Sequence, residues 1–470
     1  MIPKPATLWS YSPYSPLFFE TGDPYVCRLA PGEDSIRVEW LASGPGPYRV
    51  FVRQRGGGSF AEAGVTDDTG FNIVDLVPET DYELYVASPT GRSRTRLART
   101  GALLSGTIVN YLHPDDEAYA FSGRYLCSPS LLRLPDGALL ASMDLYAGGT
   151  PQNLTLIFRS DDDGATWHHL CELFPAFWTK LFLHRGAVHA LACSTEYGDL
   201  LIGRSDDGGR TFGAPTVLLR GSGGRRGWAG VHKNPQPVVT FADRVWNTLE
   251  WGSWTQGYHA AMVMSASEDA DLLDASSWRF SEPLAYDHVA WGLPAGPAMI
   301  LEGCLVERDG ALYNIMRYEM GSLTPNYGLA IALRVDTSNP EARLRFERTI
   351  DFPANHSKFV IRRHSASGAY YSVATRISDP AHVGARTTLS LMRSSDLWNW
   401  EVVRDIWRRP VSECQKVGFQ YSDFLLEGDS IPFLTRVAYN GAHSFHDANY
   451  SIFDRIDTSG EHFPIGTDFV

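Results

Sequence analysis

The sequence predicts an all-β chain in two parts: a β-sandwich over residues 1–103, then a six- or seven-bladed β-propeller over residues 104–470. Three observations predict this. Ser160-Asp161-Asp162-Asp163-Gly164-Ala165-Thr166-Trp167 fits S-x-D-x-G-x-T-W, and Ser205-Asp206-Asp207-Gly208-Gly209-Arg210-Thr211-Phe212 repeats it with Phe for Trp. The copies start 45 residues apart (160 to 205), about the length of one four-stranded blade. Gly, Asp, Asn and Pro break the remainder into short strands, with no convincing amphipathic helix. Aromatic residues make up 12% of the chain, a load that suits all-β packing.

Composition narrows the function. With 470 residues, the chain has room for more than one domain. Apolar residues are 44% and charged residues 20%, which is a globular and not a disordered balance. The net charge of -13 argues against non-specific nucleic-acid binding. No run approaches about 20 apolar residues, so no membrane span is expected. The segment Met1 to Trp9 lacks a secretory leader's basic and apolar regions. Cys27, Cys127, Cys171, Cys193, Cys304 and Cys414 are scattered without close pairs, which predicts reduced thiols. The expectation is therefore a cytoplasmic protein without nucleic-acid or membrane partners.

In the first hundred residues, Ile36-Arg37-Val38-Glu39-Trp40 and Tyr48-Arg49-Val50-Phe51-Val52 alternate as half-buried strands do. Leu76-Val77-Pro78-Glu79-Thr80-Asp81-Tyr82 resembles the corner of fibronectin type III domains. That resemblance implies that the Tyr82 hydroxyl bonds back to the backbone. It also implies a structural or positioning module.

Beyond residue 103, each copy of the turn motif follows an apolar run, as in strand, tight turn, strand. Asp and Ser bond nearby backbone N–H groups, Gly supplies positive φ, and the aromatic residue tucks beneath. A worn third copy stands at Ser394-Ser395-Asp396-Leu397-Trp398-Asn399-Trp400. These turns resemble the Asp boxes of sialidase-like β-propellers, where they lie on the outer rim, away from the chemistry. Hairpins are expected at Asp136-Gly137 and Asp309-Gly310. At roughly 45–55 residues per blade, six or seven blades fit. Seven is favoured, with Thr107-Ile108-Val109-Asn110 as a candidate closing strand.

Five segments are polar where a blade should be plain. They are His232-Lys233-Asn234-Pro235-Gln236-Pro237, Glu302-Gly303-Cys304 with Asn314-Ile315-Met316-Arg317, Asn355-His356-Ser357-Lys358-Phe359, Gly418-Phe419-Gln420-Tyr421-Ser422-Asp423, and 435–453. Strand alternation places Gln420 and Ser422 on one face, Tyr421 and Asp423 on the other. The last segment gathers Arg436, His443, His446 and Asn449, and His443, His446 and Asp447 are metal-ligand types without a zinc-protease spacing.

Together these phrases resemble a branch of sialidase-like propellers that act on rhamnose–glucuronate linkages, as exo-rhamnosidases or exo-lyases. The resemblance spans residues from about 118 to 456. It implies removal of a terminal sugar from an anionic, uronate-containing oligosaccharide, by elimination or hydrolysis. The catalytic candidates are His232, Tyr421, His443, Arg317 and Glu302. The substrate-binding candidates are Lys233, His356, Lys358, Gln420, Asp423, Arg436, His446 and Asn449. Lys233, Arg317, Lys358 and Arg436 are the expected partners of a substrate carboxylate. Two-carboxylate hydrolysis would draw on Asp144, Glu250, Glu302 and Asp423. No cofactor is required, and there is room for a divalent cation such as calcium. Two departures stand out. Cys127-Ser128-Pro129 replaces the R-I-P phrase whose arginine binds the carboxylate in true sialidases, which argues against the exo-sialidase alternative. Val417 stands where this branch leads one to expect His. A non-catalytic glycan-binding propeller is the remaining alternative.

Overall fold

The computed structural model describes residues 24–42, 44–223, 227–296, 298–321, 328–354 and 357–458. The N-terminal part is two antiparallel sheets. One joins Tyr25–Pro31, Ile36–Leu41 and Gly70–Ile73. The other joins Ala61–Thr66, Tyr48–Gln54, Asp81–Ser88 and Gly91–Arg92, with Arg96–Arg99 also on Asp81–Ser88. Alternation aims Leu29, Val38, Trp40, Val50, Leu84 and Val86 into one core. The Val77 N–H donates to the Tyr82 hydroxyl at 2.8 Å.

Six antiparallel sheets follow in chain order, over residues 125–173, 177–219, 230–280, 299–351, 362–408 and 418–457. Thr107–Tyr111 completes the last by pairing with Tyr450–Asp457, so strands from both ends of this region share one sheet. After the two N-terminal sheets, the described residues thus form six sheets, where the sequence favoured seven blades. Their first strands start at 125, 177, 230, 299, 362 and 418, so intervals exceed the 45 residues between turn motifs. Connections lengthen the repeat. Residues 281–298, for example, carry a one-turn helix, His288–Trp291, capped by Asp287.

Each pair of neighbouring sheets encloses an apolar cluster. Leu140 and Leu181 meet between the first and second sheets, and Leu191 and Val245 between the second and third. Trp246 and Ile300 join the third to the fourth, and Ile315 and Tyr370 the fourth to the fifth. Leu389 and Phe433 join the fifth to the sixth, and Leu126 and Leu434 close the ring between sixth and first. The N-terminal core runs into the fifth–sixth cluster.

All three turn motifs connect the third and fourth strands of their sheets. In the first, Ser160 Oγ accepts from Gly164 N at 2.8 Å, and Asp162 Oδ1 from Thr166 N at 2.8 Å. Ser205 and Asp207 repeat this geometry with Gly209 and Thr211. Trp167 is fully buried against Phe453, ring centroids 5.3 Å apart. A Cβ on Gly164, at φ +92, would sit 2.0 Å from Phe453. All six cysteines are free thiols, five of them buried.

Candidate active site

The first strands of the six sheets meet at a common centre, and hydrogen bonds cross it. Asp423 of the sixth sheet accepts from Leu131 N of the first at 2.8 Å, and also from Lys180 of the second. Arg362 of the fifth donates to its other oxygen at 3.1 Å. Gln236, from the third, donates to the carbonyls of Glu302 and Phe359 at 3.0 Å each.

Four of these first strands carry the same irregularity. Cys127 to Ser130, Phe177 to Lys180, Leu301 to Cys304 and Gln420 to Asp423 each place two residues opposite one on the next strand. The first extra residue is left-handed every time: Ser128 (φ 51), Trp178 (φ 56), Glu302 (φ 55) and Tyr421 (φ 60). None is glycine, and a non-glycine residue in this region costs roughly 1 kcal/mol or more. All four line one cavity of about 340 Å³. The bulges turn a side chain from each strand towards the centre.

Beside those four, the cavity is walled by Cys127, Tyr146, Gln152, Phe177, Glu196, Tyr197, His232, Trp254, Arg436 and His446. One wall is aromatic. Trp178 lies 4.5 Å from the His232 ring and 4.7 Å from Phe177. The opposite wall is charged. Glu302 Oε2 accepts from Arg317 Nη1 at 2.7 Å, and the same Nη1 lies 3.5 Å from the Tyr421 hydroxyl. Arg436 and Arg386 lie over the Tyr421 ring at 5.0 and 6.0 Å. Three guanidiniums therefore surround one phenol.

The electrostatics follow from that packing. Burial pushes the Glu302 carboxyl up, but the Arg317 and His232 charges and hydrogen bonds from Arg317 and Tyr421 outweigh it. Glu302 ends below its ordinary value and is ionised. Burial, then the Glu302 charge, hold the Tyr421 phenol above its ordinary value, while Arg317, Arg386 and Arg436 pull it down. Burial and then the neighbouring arginines push His446 down to about 2, so it is neutral. On the aromatic side, His232 Nδ1 donates to Glu250 Oε2 at 2.7 Å, both side chains buried. That bond fixes the tautomer and leaves Nε2 as the reactive nitrogen. Glu250 Oε1 accepts from Gly303 N at 3.2 Å, beside Glu302.

The cavity thus gathers His232, Glu302, Tyr421, Arg436 and His446, with Arg317 directly behind Glu302. Other sequence candidates fall elsewhere. Lys233 and Lys358 are fully buried and do not line the cavity, so neither meets a substrate carboxylate there. After His232 the chain leaves its strand, and Lys233 Nζ turns to the carbonyls of Trp178 and Asn234. Asp423 is consumed beneath the cavity by Lys180, Arg362 and Leu131 N. The bulge also breaks the expected alternation, and Gln420, Ser422 and Asp423 are all buried. Gln420 accepts from Arg386 and donates to the Phe445 carbonyl. Asn449 braces its loop through both Tyr439 backbone groups. His443 is 48% exposed and pairs with Asp115 at 3.1 Å, outside the cavity. His356 lies outside the described residues. No cluster of three or more metal-ligand side chains forms among the described residues, and Asp144 is held by Thr155 and Thr179.

Sequence reasoning missed Ser128, Tyr146, Trp178, Glu196 and Arg386. Ser128 and Trp178 carry no polar phrase, and only the bulge brings them in. Arg386 precedes the strand Thr388–Ser394, and nothing in its surroundings marked it.

No family model and no curated protein sequence matches the chain. Solved structures share its fold, and two of them illustrate the likeness. One is a Penicillium chrysogenum α-L-arabinanase complexed with arabinobiose, 14% identical, TM-score 0.51, covering 76% of this chain and 99% of that one. The other is a leech intramolecular trans-sialidase complexed with 2,7-anhydro-Neu5Ac, 10% identical, TM-score 0.50, covering 93% of this chain and 92% of that one. The chain therefore shares the fold of these structures: a closed ring of six antiparallel sheets, joined here to an N-terminal β-sandwich.

Proposed function

We propose that the cavity releases a terminal sugar from an acidic, uronate-containing oligosaccharide, with Tyr421 as the reacting group. The observation that carries this is the Tyr421 phenol held against Glu302 and Arg317 and overlain by Arg386 and Arg436. A cationic pocket suits an anionic substrate even in an acidic protein, since net charge does not set local potential. Arg436 has a buried Nε with no partner among the described residues and lines the cavity, so it is the group to receive a carboxylate. Neutralising that carboxylate acidifies the C5 proton. His232 Nε2, left with its lone pair by the Nδ1–Glu250 bond, then takes that proton, the C4–O bond breaks, and the Tyr421 hydroxyl gives its proton to the leaving oxygen, the resulting phenolate facing the three guanidiniums.

Hydrolysis is the second reading, and the Glu302–Tyr421 hydrogen bond favours it. Glu302 would draw the phenol proton as Tyr421 attacks the anomeric carbon, the glycosidic C–O bond breaks with its oxygen taking a proton from His232 in the imidazolium form, and water then releases the sugar from Tyr421 as both protons return. Hydrolysis through Glu302 and Asp423 is disfavoured, because Asp423 is committed below the floor. The N-terminal sandwich, with Tyr82 bonded back to Val77, is read as a fibronectin type III-like positioning module.

The test is incubation with rhamnose-capped glucuronate oligosaccharides and with a sialylated oligosaccharide, following both sugar release and ultraviolet absorbance of an unsaturated uronate. Release with rising absorbance is the expected result. Release without absorbance selects the second reading. Release of sialic acid overturns the uronate assignment, and binding without release from either sinks the enzyme.

A further inference from the structure

Beneath the cavity floor the propeller centre holds more positive charge than its carboxylates neutralise. Lys180, Lys233 and Lys358 enter it from the second, third and fifth sheets and are 3%, 0% and 1% exposed. They lie close enough to feel one another: Lys233 feels Lys180 and Lys358, and Lys358 feels Lys180. Asp423 is the one carboxylate paired with this group among the described residues, and Lys180 and Arg362 already share it. Glu302 is committed to Arg317. Asp144, near Lys233, is spent on Thr155 and Thr179 N, and burial pushes its carboxyl up to about 7. The neighbouring thiols Cys193 and Cys304 are pushed up by burial and stay neutral. Lys233 Nζ has two backbone carbonyls for partners, at 3.2 and 3.4 Å. Lys358 Nζ is buried with no hydrogen-bond partner at all among the described residues.

An ammonium carries three donors, and a dry, unpaired one is among the costliest buried groups. Two remedies exist: the lysine gives up its proton, or an anion joins it. Burial, with the other lysine charges, already drives Lys233 and Lys358 down to about 7 and about 8. Both therefore stand near the point where a small anion decides which remedy is used. We propose that the centre of the propeller is a binding site for a small monovalent anion of halide size, held by Lys358 and Lys233 beneath the cavity floor. The occupant must be small, because Lys233 and Lys358 are sealed from solvent and neither lines the cavity above or the second cavity that Lys180 borders. The anion supplies the missing counter-charge and brings a proton with it as it binds. The site stands apart from the proposed chemistry and is read through stability.

The test uses the full chain at pH 7 and constant ionic strength, replacing sodium gluconate stepwise by sodium chloride during thermal unfolding. The Tm of the parent protein is expected to rise by a few degrees and to saturate, as for a ligand bound by the folded state alone. Lys358→Met should lose the saturable rise, with Lys358→Gln as a second variant if the first does not fold. Crystals grown in sodium bromide, which need no variant, should show an anomalous peak between the two lysines. Equal Tm in chloride and gluconate overturns the proposal. So does an unchanged chloride response in a folded Lys358 variant, or water without anomalous signal at the lysines.

Discussion

Tyr421 shows how neighbours set a side chain's chemistry. Alone, a phenol is a weak base and nucleophile at neutral pH. Here burial and the Glu302 charge keep the proton on the hydroxyl, while three guanidiniums pull the other way and would meet the phenolate once that proton is given up. Tyr421→Phe keeps the ring under Arg386 and Arg436 and deletes only the hydroxyl. Turnover should fall by about 10²–10⁴-fold, the usual worth of one acid–base group, with Tm unchanged. Lys233 gives a pH prediction. Its folded value, about 7, lies below the unfolded 10.5, so between those values the unfolded chain binds more protons. Stability therefore rises with pH across that window, and the penalty is greatest below it. In halide-free buffer, Lys233→Met should raise Tm at pH 7 and abolish Lys233's part of the slope between pH 7 and 10. The sequence named most charged members of the cavity, because His, Arg and Glu interrupt otherwise apolar strands. It could not separate His232 from Lys233. They are adjacent, and only the chain's exit from its strand sends one to the cavity and the other below it.

At the scale of the element, the repeated bulge organises the site. Strand alternation predicts Tyr421 and Asp423 on one face. The extra residue instead delivers Tyr421 to the cavity and Asp423 to the centre below. Glu302 and Cys304 are divided in the same way, and Gly303 is required there because a Cβ would meet Asn314 Oδ1 at 2.2 Å. No local sequence pattern announces these bulges, since none has glycine at the left-handed position. The turn motifs are the opposite case. Their Ser, Asp, Gly and aromatic residues each satisfy a local demand, so the sequence alone located all three. Their packing partners were not legible. Trp167 closes the seam between first and sixth sheets against Phe453. Trp167→Ala should cost about 3–5 kcal/mol, as other buried large-to-small changes do. Chemical denaturation should show a lower midpoint with an unchanged slope.

Over the whole molecule, Thr107–Tyr111 ties the ring shut and the N-terminal sandwich packs behind it. Arg28 donates to the Val109 carbonyl at 2.7 Å, Arg96 pairs with Asp116 at 2.7 Å, and Tyr25 donates to Tyr119 at 2.9 Å, all across the junction. Sandwich and propeller share one apolar cluster. Calorimetry should accordingly record one unfolding transition, and a separate low-temperature transition for the sandwich would contradict this coupling. The sequence by itself determined the all-β class and the turn motifs, and it supplied the charged residues from which the candidate site is proposed. Each rests on local periodicity or on residue chemistry that needs no partner. Only the tertiary structure decided the sheet count, the cavity's membership and the burial of Lys233, Lys358 and Asp423. Those depend on loop lengths, on bulge register and on which strands converge at the centre, and all three are properties of the closed ring and not of any one segment.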